Sequence, residues 1–344
     1  MNAKPLISVL TPTYNHEKYV ESFIRSLLAQ TYVNWELIIV DDCSTDNNIS
    51  TIQKITDTRI HLFQQGFNQG PGAALNRAFS ESQGDIIVDM ASDDLLYPDY
   101  FEYIVNIFSL KPNIGVIYSS LDVINEKNEV YTHYQLPQNK NRIEFLRDLF
   151  YKNNVLFSPG FAIRRDLYAS IIPMDVSMIQ HQDYQWHVLF LGKSDCFVAE
   201  KNFVKYRYIP YNKKSLSSFN LGEFNRMRLE IDKLMDSFLE IKDMNLIKEI
   251  TSSQLCEILP SSCYEYIWAL EALKCKNYEK KQWGYKIISK VYNNDSLRKE
   301  LNSKLGFNFS SYLNIGKINV FYAGNDFSMK KIKQILSKIY HLIK

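Results

Sequence analysis

The sequence has few cysteines, and their spacing marks neither a zinc site nor a disulfide framework. The five cysteines are scattered over 344 residues, and no two of them form a C-x-x-C pair. Free thiols in a reducing cytoplasm are the simplest interpretation of this pattern. The cysteine content therefore argues against a small disulfide-stabilised fold and gives no support for structural zinc.

Long apolar runs and a strong charge of one sign are missing as well. No stretch approaches the roughly 18 uninterrupted apolar residues of a membrane-spanning helix. We expect no signal peptide, because the N-terminus runs directly into a strand pattern. The formal net charge of +2 argues against a dedicated nucleic-acid-binding protein. We therefore predict a cytoplasmic globular protein with one large domain and a smaller region.

Glycine-rich phosphate loops are also absent. After the first predicted strand the sequence reads Thr11-Pro12-Thr13-Tyr14-Asn15, where a dinucleotide-dependent dehydrogenase has Gly-x-Gly-x-x-Gly. A Walker-type Gly-Lys-Ser/Thr is missing too, and so is the basic glycine-rich loop that a nucleotidyltransferase would need. If phosphates bind this protein, a metal ion must supply much of the charge neutralisation.

The sequence does contain a regular alternation of strand and helix patterns before residue 94. The predicted strands cover 6–11, 36–40, 59–64 and 85–90. Their alternation with helical spacing predicts βαβ units and a mostly parallel, Rossmann-like sheet with helices on both faces. Beyond residue 221 the apolar period is helical. We predict an α/β domain over residues 1–220 and a mainly helical C-terminal region over 221–344.

Pairs of carboxylates follow two of the predicted strands. Asp41-Asp42 closes the second strand, and Asp93-Asp94 follows the fourth. Open α/β sheets bind ligands at the carboxyl ends of their strands. Asp41 could accept hydrogen bonds from a nucleobase or ribose there, and Asp93-Asp94 could hold Mg²⁺ or Mn²⁺ against a diphosphate. The structural alternatives are that Asp41 only forms a turn, and that Asp93 or Asp94 only caps the helix that begins near Pro98.

A third candidate carboxylate, Asp183, lies at the start of a predicted helix. It could be a general base if it faces the crevice, or a favourable partner of the helix dipole and nothing more. His181 and His187 lie nearby, but a separation of six residues does not place two side chains on one helix face. We therefore interpret both histidines as structural or surface residues.

Taken in order, six parts of the sequence resemble the family 2 inverting glycosyltransferases, which have the GT-A fold. The resemblance covers about residues 5–220. The matching segments are Ile7–Asn15, Leu37–Asp46, Asn68–Asn76, Gly84–Asp94, Phe157–Asp166 with His181–Asp183, and Tyr206–Arg207 with Ser215–Ser218. One such segment is a weak signal, whereas six in the family's order and spacing are a strong one.

The resemblance implies roles for individual residues. The nucleotide would be bound by Thr11, Pro12, Tyr14, Asp41, Asn68 and Asp93. A divalent metal, Mn²⁺ or Mg²⁺, would be held by Asp94 with Asp93, and Asp183 would be the catalytic base. The loops around donor and acceptor would contribute Gly160, Gln182, Tyr206 and Arg207.

Four positions depart from the family pattern. An Asp of the metal motif, an Arg, a Glu and a His are replaced, respectively, by Ala91, Leu75, Gln182 and Ile209. These changes favour, as an alternative, a nucleotide-sugar-binding or scaffold protein that has lost catalysis. The retained Asp94 and Asp183 favour an enzyme. The Gln-x-x-Arg-Trp signature of processive synthases is absent, so we expect addition of a single sugar.

The resemblance implies transfer from a nucleotide-sugar, with UDP as the first choice of carrier and TDP or GDP as alternatives. The acceptor would be a hydroxyl of a glycan or lipid-linked glycan in the assembly of bacterial surface polysaccharide, lipooligosaccharide or glycoprotein. Residues 328–344 predict a basic amphipathic helix. It could lie on the cytoplasmic face of the inner membrane, or pack on the core with its lysines in solvent. A homodimer is left open.

Overall fold

The computed structural model describes residues 4–209 and 221–318. The chain divides into a first unit, Met1–Arg142 with Val155–Phe219, and a second unit, Ile143–Asn154 with Asn220–Lys344. The second unit thus includes a segment that the predicted boundary at residue 220 assigns to the α/β domain. The helix predicted over 328–344 and the segment Ser215–Ser218 lie outside the described residues.

Strands of the first unit form two sheets. In chain order they are β1 (Ile7–Thr13), β2 (Trp35–Asp41), β3 (Ile60–Gln64), β4 (Ile86–Asp89), β5 (Leu95–Leu96), β6 (Ile114–Tyr118), β7 (Leu121–Ile124), β8 (Val130–Tyr134), β9 (Ala162–Arg164), β10 (Asp195–Val198) and β11 (Val204–Arg207). Within the described residues the main sheet has the order β10-β6-β9-β4-β1-β2-β3. Its neighbours pair in parallel except at β9, which is antiparallel to β4 and β6. The predicted α/β class with a mostly parallel sheet is confirmed.

Helices flank this sheet. In the first unit they are α1 (Val20–Leu28), α2 (Asn48–Gln53), α3 (Pro71–Glu81), α4 (Tyr100–Leu110), α6 (Arg165–Ala169) and α7 (Gln182–Lys193). The helix between α4 and α6 in the sequence, α5 (Arg142–Tyr151), belongs to the second unit from residue 143 onward. α1 buries an apolar stripe at helical spacing, Val20, Phe23, Ile24 and Leu27. α3 follows Gly70, whose φ is +85°, and begins with Pro71, whose fixed φ suits the first helical position.

The strand order explains where the candidate residues meet. β2 is an almost continuous buried apolar run, as expected for a central strand covered on both faces. Because β1 and β2 are parallel and in register, Thr13 lies opposite Asp41 at the carboxyl edge. β4 pairs with the other side of β1 and delivers the chain to the same edge. Short loops therefore bring the polar residues after three strands to one side of the sheet.

The second sheet of the first unit has the order β5-β11-β7-β8 among the described residues. β7 and β8 are antiparallel, β11 runs parallel to β7, and β5 pairs antiparallel with β11. β8 is not among the predicted strands, and its residues are mostly exposed. Since β5 begins directly after Asp94 and β11 ends at Arg207, their pairing brings these two residues together.

The described part of the second unit is helical, which confirms the predicted helical C-terminal region. Its further helices are α8 (Leu221–Asp236), α9 (Met244–Thr251), α10 (Leu255–Ile258), α11 (Tyr264–Ala272), α12 (Tyr278–Asn293), α13 (Asp295–Leu305) and α14 (Phe309–Ile315), with 3₁₀ turns at Ser237–Glu240 and Ser261–Cys263. Phe150 of α5 packs on Phe238 and Trp268, with ring centroids 4.9 and 4.8 Å apart. Among the described helices none has both the length and the apolar character needed to cross a bilayer.

A buried lysine caps the end of α5 within this second unit. The ammonium of Lys280 donates hydrogen bonds to the carbonyls of Leu149, Phe150 and Lys152, over 3.0, 2.7 and 3.0 Å. These carbonyls lie in the last turn of α5 or directly after it, where unpaired C=O groups and the negative end of the dipole favour a cation. Burial lowers the pKa of Lys280 to about 8.

Candidate functional site

The carboxylate of Asp41 is buried at the end of β2 and held on both oxygens. Oδ2 accepts a hydrogen bond from the backbone N–H of Ser44 at 2.8 Å, and Oδ1 accepts one from Asn48 Nδ2 at 2.9 Å. The first bond forms the turn that leads to α2. The structural alternative to nucleotide binding, a turn at Asp41, is therefore present in the structure. Each oxygen keeps a second lone pair, so its nucleotide role stays a prediction.

A chain of polar side chains connects Asp41 with the loop after β4. Asn48 Nδ2 also lies 3.0 Å from Thr13 Oγ1, which accepts a second hydrogen bond from Ser92 Oγ at 2.8 Å. His16 Nδ1 lies 2.7 Å from the same Ser92 hydroxyl. Asn48, Ser92 and His16 are not among the predicted site residues, because only the pairing of β1 with β2 and β4 brings them together.

The neighbouring Asp42 organises the loop before α3. Its Oδ1 accepts hydrogen bonds from Gln65 Nε2 at 2.9 Å and from the Gln69 N–H at 2.7 Å. Its Oδ2 accepts one from the Gly70 N–H at 2.7 Å. This carboxylate fixes the loop that carries Asn68.

The predicted nucleotide-binding residues differ in their exposure. The ring of Tyr14 is 42% exposed, Asn68 is exposed in the loop described above, and Pro12 is half-buried. Thr11 is fully buried, and its hydroxyl has no hydrogen-bond partner within the described residues. Tyr14 and Asn68 are therefore accessible at the surface, whereas the side chain of Thr11 faces the interior.

Asp93 and Asp94 meet Arg207, as the pairing of β5 with β11 requires. Asp94 is 1% exposed, and its Oδ1 accepts the Arg207 N–H at 2.7 Å. Arg207 Nε donates to the carbonyl of Asp93 at 2.7 Å, and the guanidinium stacks on Tyr19, 4.6 Å from the ring centroid. The same guanidinium donates to the carbonyl of Asn125 and to the side chain of Asn128, on the β7–β8 turn. Burial, then the charge of Asp93, raises the pKa of Asp94 well above its ordinary value.

This donor set can be compared with the needs of a divalent metal. Within residues 4–209 and 221–318 no three His, Cys, Asp or Glu side chains form a metal-binding cluster. Mg²⁺, however, is commonly held by one or two carboxylates together with substrate phosphates and water. Asp93 and Asp94 fit such a partial site, and a cation would offset the repulsion between them. Ala91 supplies no further ligand, and the buried Leu75 adds no positive charge.

Asp183 is the second residue of α7 and is half-buried. Its Oδ2 accepts a hydrogen bond from Ser158 Oγ at 3.3 Å, and its Oδ1 accepts the N–H of Tyr184 at 2.7 Å. Gln182, directly before it, is buried, and its Nε2 has no partner among the described residues. A Cβ added to Gly72 in α3 would lie 2.5 Å from that nitrogen, so the absence of a side chain there makes room for Gln182.

The loop that carries Ser158 is fixed by Gly160. The φ of Gly160 is +69°, and an added Cβ would lie 2.6 Å from Val204 Cγ2. Its N–H donates to the carbonyl of Asp89 at 2.9 Å, and its own carbonyl accepts the hydroxyl of Tyr100. Gly160 thus ties the Ser158 loop to the end of β4, a few residues before Asp93.

The two histidines near Asp183 differ. His181 is half-buried and packs edge-on against Tyr184, with ring centroids 5.8 Å apart. His187 is fully buried, and burial lowers its pKa to about 3, so it is neutral. Its Nδ1 lies 3.1 Å from the Tyr118 hydroxyl, and its Nε2 lies 3.1 Å from Ser158 Oγ. The contact with Ser158 has no signal in the sequence, because the two residues come from different elements.

The remaining predicted residue, Tyr206, is half-buried in β11 next to Arg207. The structure therefore brings the predicted residues into three groups. Tyr14 directly follows β1, and Asp41 is the last residue of β2. Asp93, Asp94, Tyr206 and Arg207 lie where β5 meets β11. Gly160, Gln182 and Asp183 lie around the loop before β9 and the start of α7. Their roles stay predictions.

Comparisons with known proteins show which family this chain is similar to. Residues 8–172 match the family described as Glycosyl transferase family 2. An uncharacterized glycosyltransferase of Haemophilus influenzae is 32% identical over 222 residues, which are 62% of this chain and 82% of that protein. The UDP-Glc:alpha-D-GlcNAc-diphosphoundecaprenol beta-1,3-glucosyltransferase WfgD of Escherichia coli is 28% identical over 231 residues, 67% of this chain and 86% of WfgD.

A solved structure shares the fold at low sequence identity. The crystal structure of S. aureus TarS 1–349 in complex with UDP-GlcNAc superposes with a TM-score of 0.57. It is 17% identical, and the match covers 97% of this chain and 91% of that one. At this identity the likeness supports the fold and carries no residue roles.

Proposed function

Because the chain belongs to glycosyltransferase family 2, we propose that it transfers one sugar from a UDP-sugar to a hydroxyl group and inverts the anomeric centre. The observation that carries the proposal is the pair of carboxylates after β4, Asp93 and Asp94, which Arg207 fixes at the carboxyl edge of the sheet. That edge is where open α/β sheets bind nucleotides. Tyr14, Pro12 and Asn68 would contact the nucleoside, and Asp41 would accept a further hydrogen bond from it.

Asp183 would act as the general base of this transfer. Its carboxylate takes the proton of the acceptor hydroxyl while the oxygen attacks the anomeric carbon. The bond from that carbon to the diphosphate oxygen breaks, and the diphosphate leaves with the electron pair. A single displacement of this kind inverts the anomeric centre. The acceptor oxygen must then come within about 2.6–3.2 Å of the carboxylate.

Asp94, with Asp93, would hold a divalent cation, Mn²⁺ or Mg²⁺. When bound, the ion supplies positive charge beside the departing diphosphate. Arg207 keeps the two aspartates in place, because its main-chain N–H donates to the Asp94 carboxylate and its Nε donates to the Asp93 carbonyl. Its guanidinium also donates to the carbonyl of Asn125 on the β7–β8 turn. Gly160, Gln182 and Tyr206 would shape the space around the donor sugar and the acceptor.

The similarity to WfgD suggests the class of acceptor. The name of that relative specifies UDP-Glc as the donor and a GlcNAc-diphosphoundecaprenol as the acceptor. We therefore propose a lipid-linked glycan or a polysaccharide precursor as the acceptor here, with addition of a single sugar. A place at the cytoplasmic face of the membrane, reached through 328–344, belongs to the same proposal.

A panel of nucleotide-sugars tests the donor, the metal and the activity together. UDP-glucose, UDP-GlcNAc, TDP-glucose and GDP-mannose would each be assayed with a GlcNAc-diphosphate-lipid acceptor, with and without Mn²⁺. We expect UDP release that needs both acceptor and Mn²⁺, and thermal stabilisation by UDP worth about 2.7 kcal/mol at one hundred times Kd. Stabilisation by TDP or GDP compounds alone would contradict the choice of carrier.

The second candidate function is a nucleotide-sugar-binding protein without catalysis. The replacement of charged or metal-binding family residues by Leu75, Ala91, Gln182 and Ile209 favours it. In the same panel such a protein would be stabilised by a UDP-sugar and would release no UDP with any acceptor. The retained Asp183, hydrogen-bonded to Ser158, favours the enzyme.

A further inference from the structure

Three buried or half-buried groups form a continuous hydrogen-bonded chain that ends on Asp183. Tyr118 Oη lies 3.1 Å from His187 Nδ1, and His187 Nε2 lies 3.1 Å from Ser158 Oγ. Ser158 Oγ then donates to Asp183 Oδ2 at 3.3 Å. Tyr118 and His187 are both fully buried. The chain therefore leads from the interior of the first unit to the carboxylate that we assign as the base.

The chemistry of the four groups determines which group donates in each of these hydrogen bonds. A serine hydroxyl has one proton, so when Ser158 donates to Asp183 it must accept a hydrogen bond from His187 Nε2–H. A neutral imidazole carries a proton on one nitrogen, which leaves Nδ1 as the acceptor of the Tyr118 hydroxyl. The buried imidazole is neutral, as its lowered pKa of about 3 indicates. Each donor thus has one acceptor, and the last hydrogen bond reaches the carboxylate of Asp183.

The two inner members of this hydrogen-bonded series, His187 and Ser158, are held in place by their surroundings. His187 lies one helical turn after Asp183 on α7, and its ring packs edge-on against Tyr118 and Phe161, with centroids 5.1 and 6.3 Å away. Ser158 is held by the loop that Gly160 fixes, and its carbonyl accepts the N–H of Phe161 at 3.1 Å. The Ser158 hydroxyl is therefore in place before any substrate binds.

We propose that Ser158, His187 and Tyr118 are positioning residues that orient Asp183 and favour its ionised form. The inference rests on the proposed role of Asp183 as the base. A hydrogen bond donated to a carboxylate stabilises the charged form, which is the form that can accept the proton of the acceptor hydroxyl. His187 holds the Ser158 hydroxyl in the donating orientation, and Tyr118 selects the required tautomer of His187.

The test compares Ser158→Ala, His187→Leu and His187→Gln with the wild type. His187→Gln can place an amide N–H near the position of Nε2, so it should restore much of what His187→Leu removes. With UDP-glucose or the UDP-sugar found active above, we expect Ser158→Ala to lower kcat roughly tenfold. The donor KM should change by less than about twofold, and the acidic limb of the kcat/KM profile should move to higher pH.

A double-variant series separates this role from a general structural one. If the groups act through one chain, Ser158→Ala with His187→Leu loses little more than Ser158→Ala alone. In the Asp183→Asn background neither change should lower the residual rate further. Matched controls are Ser80→Ala on the exposed face of α3 and His61→Leu on β3, which should leave the rate unchanged.

The outcomes distinguish this inference from the assignment of the base. Near-normal turnover of Asp183→Asn removes the base assignment and the inference with it. A strong loss in Asp183→Asn together with an unchanged kcat in Ser158→Ala overturns the positioning role alone. Additive losses in the double variant, or equal losses in His187→Gln and His187→Leu, overturn it as well. If His187→Leu fails to fold, Tyr118→Phe with Ser158→Ala gives the same cycle.

Discussion

Substitution of Gly160 by alanine should destabilise the first unit by a calculable amount. A residue with a Cβ at a φ of +69° costs about 1–2 kcal/mol relative to the ordinary right-handed region. The added Cβ would also stand 2.6 Å from Val204 Cγ2, and overpacking of a buried site typically costs about 1–3 kcal/mol. The reduced entropy of the unfolded chain offsets about 0.4–1 kcal/mol of this. The expected net loss is about 1–5 kcal/mol of unfolding free energy.

Native-state amide hydrogen exchange in β1 and β2 would measure this loss, because those amides report on the first unit by itself. Gly66→Ala is the matched control, since a Cβ at Gly66 meets nothing within 4 Å, and it should change stability by less than about 0.5 kcal/mol. Val204→Ala in the Gly160→Ala background should be less destabilising than Val204→Ala alone, because it relieves the contact. A Gly160→Ala variant as stable as the control would refute the reasoning.

Four further predictions concern single side chains. Asp183→Asn should leave UDP binding nearly intact and lower transfer by roughly 10²-fold or more, and near-normal turnover would remove the base assignment. Asp94→Ala should weaken donor binding and its response to Mn²⁺ together, and an unchanged wild-type rate in EDTA would contradict the metal proposal. Folding lowers the pKa of His187 from 6.5 to about 3. Between pH 3 and pH 6.5 the unfolded state therefore binds one more proton at this residue than the folded state. Stability should therefore fall as pH falls from 6.5 to 3, by at most about 5 kcal/mol, and His187→Leu should flatten that part of a urea-unfolding profile against pH. Lys280→Met should lower the free energy of unfolding by about 2–4 kcal/mol, because it leaves carbonyls at the end of α5 without their donor. Unaltered amide exchange in α5 would contradict this prediction.

The sheet and the position of its polar edge could be predicted from the sequence. β1, β2 and β4 are short buried runs, and each ends in residues that cannot continue a buried strand. β8 could not be predicted, because its side chains are mostly exposed and show neither an apolar run nor a clear alternation. The partner of α5 could not be predicted either, since an apolar helix face does not specify which unit will cover it.

In the candidate site, as in the fold, the sequence predicts some features and not others. The carboxylates Asp93, Asp94 and Asp183 stand out in the sequence because each follows or begins a predictable element. The contact of Ser158 with His187 does not, since it depends on how the loop before β9 packs on α7, 29 residues further along the chain. Asp41 shows the converse case. Its place at the end of β2 and the turn closed by its hydrogen bond to Ser44 were predictable, whereas its hydrogen bond to Asn48 was not.

The inclusion of residues 143–154 in the second unit has a consequence for any attempt to divide the protein. The chain crosses between the units three times, so a cut at residue 220 does not release an intact domain. A fragment of residues 1–220 would carry α5 without Phe238 and Trp268, on which Phe150 packs. It would also lack Lys280, which lies 130 residues beyond Phe150 in the sequence.

During synthesis the same topology sets an order of events. α5 leaves the ribosome long before α11 and α12, so Phe150 lacks its partners Trp268 and Lys280 while the first unit can already fold. Completion of the second unit then depends on contacts between residues far apart in the chain, which form slowly. A fragment that keeps the first unit and replaces 143–154 by a short polar linker should therefore be more soluble than one that merely stops at residue 220.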